Sequence, residues 1–142
     1  GVFFKQKLEN KPFTIVGNGN QKRDFVNVKD VAMAFYKAAT SNIKNEIFNV
    51  GYGKPTSVNY LAKLISKKRV FLPKRPGEPN VTCANIQKIN KKLKWYPKIR
   101  FKDGVIEMLN DIEMWKGAPL WDKKKIQRAT KVWFKYLSKW FF

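Results

Sequence analysis

Arg23 and Arg75 are the side chains of this sequence best suited to hold a ligand, because each stands in a backbone that would keep it still. Arg23 follows the glycine turn Gly17-Asn18-Gly19-Asn20 at the start of a strand, and Arg75 sits in the rigid turn Lys74-Arg75-Pro76-Gly77-Glu78-Pro79. A guanidinium is a planar fork that grips phosphate oxygens through paired hydrogen bonds, so two of them on separate loops suit one diphosphate. Turn rigidity lowers the entropy cost of holding each fork towards a ligand. Glu78, three residues beyond Arg75, could accept hydrogen bonds from a ribose diol. Plainer roles stand beside these: Arg23 as a surface residue paired with a nearby Asp, and Glu78 as a carboxylate that stabilises its own turn.

No residue set is expected to carry out chemistry on the bound molecule, so the catalytic, metal and cofactor-binding assignments are none. Histidine is absent, which removes the commonest general base and metal ligand. Cys83 has no His partner and is expected to be a small buried hydrophobe. Glu107, Asp111 and Glu113 read as the solvated face of one helix. No Tyr is followed four residues later by Lys. Gly51-Tyr52-Gly53-Lys54-Pro55-Thr56 imitates a dinucleotide-binding turn, yet its third glycine is missing and Pro55 crowds the approach. It reads as a structural strand-to-helix turn. Trp121, Trp133, Trp140, Phe141 and Phe142 could stack bases, although their helical spacing favours core or interface packing.

The elements that must position these residues follow from turn and cap signals. A helix end over 3–8 is closed by Asn10-Lys11-Pro12, and Phe13-Thr14-Ile15-Val16 is a short strand stopped by the glycine turn. Asp24 to Val28 alternates as a second strand. Asp30 caps a helix to about Ala39, Glu46 to Val50 is a strong strand, and Thr56-Ser57 caps a helix through Ile65. Arg69 to Leu72 is a strand leading into the Arg75 turn. Asn85 caps the next helix, Asp103 begins another running to Trp115, and Asp122 starts a last one. The order is that of a mixed α/β chain, richer in helix towards its C-terminus. Phe48 and Val50 look like a buried strand with few partners nearby in the sequence.

At 142 residues the chain reads as a single domain or fragment over 1–142, with about 103–142 forming a helical extension. Thirty Lys+Arg against ten Asp+Glu give a formal charge of +20. The excess is mostly Lys spread over every segment, which favours a solvated surface with non-specific affinity for polyanions. A small basic nucleic-acid-binding protein, or a partner-binding module without a ligand, is the alternative class. Apolar runs are far shorter than the roughly 20 residues of a membrane span. A lone cysteine permits no internal disulfide and is expected of a cytoplasmic protein. The opening Gly1-Val2-Phe3-Phe4 lacks Met and lies inside an apolar segment, as expected of a truncated piece.

The stretches Lys11 to Gly19, Arg23-Asp24-Phe25, Asp30-Val31-Ala32, Phe48-Asn49-Val50-Gly51, Pro55 to Val58, Arg75 to Glu78 and Leu93 to Lys98 together resemble one family. In order and spacing they look like the C-terminal half of extended short-chain dehydrogenase/reductase enzymes, which include the UDP-glucose 4-epimerases and nucleotide-sugar dehydratases. The resemblance implies a substrate-binding part lacking most of the Rossmann sheet. The missing half would hold NAD and supply a catalytic Tyr and Lys, while this chain binds no NAD itself. It also implies that Arg23 and Arg75 contact the diphosphate of a nucleotide sugar, most naturally a UDP-sugar, and that Glu78 contacts the ribose. Thr14 and Val16 would lie along the base, Val16 standing where an aromatic residue is common. Glu46 to Val50 would join the Rossmann sheet. Apolar surface left uncovered would drive homodimerisation or element swapping.

Overall fold

The chain's computed structural model describes residues 1–137, and Trp140, Phe141 and Phe142 lie outside them. Helices dominate: α1 Val2–Leu8, α2 Val28–Ala39, α3 Val58–Ile65, α4 Gln87–Leu93, α5 Phe101–Asn110 and α6 Lys123–Leu137, with a 3-10 turn at Ile112–Trp115. The strands are β1 Phe13–Val16, β2 Lys22–Arg23, β3 Thr56–Ser57 and β4 Arg69–Leu72. β1 pairs in parallel with β4, from Phe13 opposite Arg69 to Val16 opposite Leu72. β2 pairs antiparallel with β3. This is the expected mixed α/β class, helix-rich towards the C-terminus.

Two apolar clusters hold these elements. Phe13 and Ile15 of β1 are buried with Phe4, Ala62, Ile65 and Val105, so α1, α3 and α5 close over one strand. The Phe3 and Phe13 rings stack at 4.7 Å. Ala34, Ile89, Leu93 and Trp95 form the second cluster, with the Trp95 Nε1–H donating to the Asp30 carbonyl at 3.0 Å. No helix among the described residues is long and apolar enough to cross a membrane.

Several expected elements take another form, each for a local reason. The second strand is confined to Lys22–Arg23, because the Asp24 carboxylate draws the chain out of the ladder. Its oxygens accept from the amides of Tyr52 (2.9 Å), Gly53 (3.0 Å) and Ala84 (2.9 Å). Helix α2 starts earlier than expected, with the Asn27 Oδ1 accepting from the Lys29 amide at 2.8 Å as its cap. Asp30 is not a cap. It is buried inside α2's first turn and accepts from the amides of Lys98 and Ile99, each at 3.0 Å. Glu46 to Val50 pairs with no strand among the described residues, although Phe48 and Val50 pack on the Trp95 cluster and Ile47 stays 85% exposed. Helix α5 begins at Phe101 and ends at Asn110, where the chain tightens into the 3-10 turn. Cys83 is exposed, contrary to its expected burial, since it lies in the extended segment that follows the Arg75 turn.

Candidate functional site

The parallel pairing of β1 with β4 explains how two turns far apart in sequence meet. Parallel strands deliver their following loops to the same end of the sheet, and the Gly17 amide donates to the Leu72 carbonyl at 2.9 Å where both strands stop. The glycine turn and the Arg75 turn therefore leave side by side. Beyond them the chains meet again, with the Lys22 amide donating to the Asn80 carbonyl at 2.8 Å and the Thr82 amide to the Lys22 carbonyl at 3.1 Å. Gly19 allows the first turn to lie against α3. At a φ of +76°, a Cβ on Gly19 would come within 2.2 Å of Asn59 Oδ1, so only glycine fits. Asn59 then donates to the Asn18 carbonyl (2.9 Å) and to Asn20 Oδ1 (3.0 Å), stapling the turn to the helix.

Four of the five expected site residues, Thr14, Val16, Arg75 and Glu78, line one cleft of about 550 Å³. Val16 and Glu78 also edge an adjoining depression that includes Lys74. The fifth, Arg23, stands behind Glu78 and is bound to it. Its Nη2 donates to Glu78 Oε1 at 2.9 Å, and its Nη1 to the carbonyls of Pro79 (3.0 Å) and Lys22 (2.8 Å). Three of the five guanidinium donors are thus engaged and two remain. The plain alternative of an Asp partner for Arg23 is replaced by Glu78, a residue 55 positions away.

Arg75 differs. Among the described residues its guanidinium takes no hydrogen bond, its Nε is buried without a partner, and its only contact of note is with the Trp133 ring, 5.7 Å from guanidinium carbon to centroid. A buried donor left unpaired costs free energy that an anion in the cleft would restore. Thr14 is only 8% exposed, and its hydroxyl accepts from Gln6 Nε2 at 2.8 Å while its amide donates to Gln6 Oε1 at 3.2 Å. It shapes the floor of the cleft.

Gln6 was not legible as a site residue, and Trp121 and Trp133 were expected to favour packing over ligand contact. Gln6, 1% exposed, also donates to the Trp121 carbonyl at 2.6 Å and so ties the approach to α6 onto β1. A lone Gln in an apolar helix carries no sequence signal for this. Trp121 and Trp133 line the cleft instead of filling a core, and α6 contains no buried residue. The Trp133 Nε1–H donates to the Pro76 carbonyl at 2.7 Å, which seats α6 on the Arg75 turn.

The Gly51-Tyr52-Gly53 turn is a structural one. Its amides are spent on Asp24, and a Cβ on Gly51 would lie 2.4 Å from Asp24 Oδ2. Those amides are not free to face a pyrophosphate, so this turn does not fit NAD.

Residues 2–51 match the profile of the NAD dependent epimerase/dehydratase family. A UDP-glucuronate 4-epimerase of Thermodesulfobacterium geofontis is 32% identical over 137 residues, covering 92% of this chain and 39% of its own length. This chain is related to the NAD dependent epimerase/dehydratase family. Solved structures agree. The UDP-glucuronic acid 4-epimerase of Bacillus cereus, determined with UDP-glucuronic acid and NAD, superposes with a TM-score of 0.73 at 30% identity, over 80% of this chain and 38% of that one. The UDP-glucose 4-epimerase of Thermotoga maritima, determined with UDP-glucose, gives 0.69 at 32% identity, over 78% and 38%. The chain therefore spans well under half the length of the epimerases it matches.

Proposed function

We propose that this chain is the nucleotide-sugar-binding portion of an NAD-dependent nucleotide-sugar 4-epimerase or 4,6-dehydratase. The observation that carries the reading is the Arg75 guanidinium, without a hydrogen-bond partner among the described residues, sharing a cleft with Glu78. Arg75 would grip the diphosphate through its fork. Arg23 would use its two remaining donors on the same group while holding Glu78 in place for the ribose hydroxyls. Val16 and the edge of β1 would flank the base. The chain contributes binding energy and orientation, not proton or hydride transfer. Cofactor and reaction belong to a Rossmann half outside this chain, to whose sheet Glu46 to Val50 would add a strand. Residues 1–142 would act as one substrate-binding unit, with about 103–142 as its helical extension.

Titration of the 142-residue chain with UDP-glucose tests the proposal. Arg75→Ala is expected to weaken binding about tenfold or more, the effect of losing a charge-assisted contact. Binding only to an oligonucleotide, falling steeply with salt, would overturn it in favour of a nucleic-acid role.

A further inference from the structure

We infer that Trp133 on α6 is the platform on which the nucleoside base stacks, so that the C-terminal helix contributes to ligand specificity. The inference rests on the nucleotide-binding reading above and adds the residue that would recognise the base. A purine or pyrimidine in a protein cleft is commonly held by an aromatic face, because every base offers a π-surface to stack. Val16, at the edge of β1, offers none. Of the aromatic rings lining the cleft, Phe3 is already stacked on Phe13. Trp121 and Trp133 remain, and only Trp133 touches the arginine assigned to the phosphates. A base lies one ribose away from its phosphates, which places the ring beside Arg75 within reach.

Two further features suit Trp133 to the task. The hydrogen bond from its Nε1 to the Pro76 carbonyl holds the ring against the turn that carries Arg75 and Glu78, which lowers the rotamer freedom to be lost on binding. The ring is nonetheless 40% exposed on a helix with no buried residue, and with the Arg75 guanidinium over one face a base would take the other. Arg75 over the ring adds a cation–π contact that positions fork and platform as one unit.

The test compares UDP with inorganic pyrophosphate as probes on the full chain and on Trp133→Ala, Trp133→Phe and Arg75→Ala. Trp133→Ala should weaken UDP about tenfold and pyrophosphate far less, because only UDP carries a base to stack. Trp133→Phe, which keeps a stacking face and loses the Pro76 hydrogen bond, should restore most of the UDP affinity. Arg75→Ala should weaken both probes. Equal loss of both probes in Trp133→Ala, no loss of either, or no rescue by Phe would overturn the base-stacking assignment while leaving the diphosphate reading standing. Absence of UDP binding to the unsubstituted chain, or indifference of both probes to Arg75→Ala, would overturn both.

Discussion

Carboxylates in this chain differ sharply in what their neighbours ask of them. Glu78 is partly buried and shared between Arg23 and the cleft, so its charge is tied to the candidate site. Glu46 lies at the surface between two lysines, at 2.7 Å from Lys88 Nζ and in contact with Lys92 Nζ. The hydrogen bonds from Lys88 and Lys92 stabilise its ionised form and lower its pKa from 4.5 to about 2. A carboxyl depressed in the folded state contributes stability that is complete above its unfolded pKa and is lost as pH falls towards the folded value. Acid unfolding between pH 4.5 and about 2 should therefore be less steep in Glu46→Gln than in the parent, by a small margin because the pair is solvent-screened. Circular dichroism across a pH series checks this, and a carboxyl midpoint near 4.5 for Glu46 by NMR would contradict it.

Loops are held at the element scale by two aspartates acting as tethers. Asp24 gathers three amides from two segments, Tyr52-Gly53 and Ala84, and thereby sets where the chain resumes after β4 and the Arg75 turn. Asp30 does the same for Lys98 and Ile99, bringing the segment after Trp95 onto α2. Removing either leaves amides without partners in a closed turn. Asp24→Ala should cost about 3 kcal/mol, in the range for hydrogen bonds to a charged group. Urea unfolding would read this as a lower midpoint with unchanged slope. The same variant should loosen the Arg75 turn and weaken UDP-glucose, because Ala84 lies in the segment continuing from that turn. A midpoint within error of the parent would refute the tether.

At the scale of the whole molecule, apolar side chains are left facing solvent on α2 and the segment after it. Val28 is 76% exposed and Phe35 71%, and Ile47 lies in the unpaired stretch after α2. Large apolar side chains exposed to this degree mark a place where protein usually packs when they adjoin one another. In the proposed reading the Rossmann half of the complete enzyme covers it. The 142-residue chain alone is expected to self-associate, with a sedimentation coefficient that rises with concentration. Phe35→Lys should reduce that association and leave UDP-glucose binding unchanged, since the residue does not line the cleft. A monomer persisting at high concentration would count against the covered face. The +20 charge opposes close approach of two copies, so association should strengthen with added salt.

Local signals were enough to identify Phe13 to Val16 and Arg69 to Leu72 as strands, Ser57 as a cap, and a turn beside Arg75, because hydrophobic period and turn chemistry act over a few residues. They could not identify the distant partners of Asp24, Asp30, Gln6 and Arg23, which, the neighbouring Lys22 carbonyl aside, lie between 8 and 115 positions away along the chain. The same polar side chain reads alike in sequence whether it faces water or three backbone amides. Only the parallel register of β1 with β4 brings the two loops to one end of a sheet, and only the fold of α6 across them turns two tryptophans with helical spacing into the wall of a cleft. Composition and local pattern thus decided which groups are available; long-range packing decided which of them face each other.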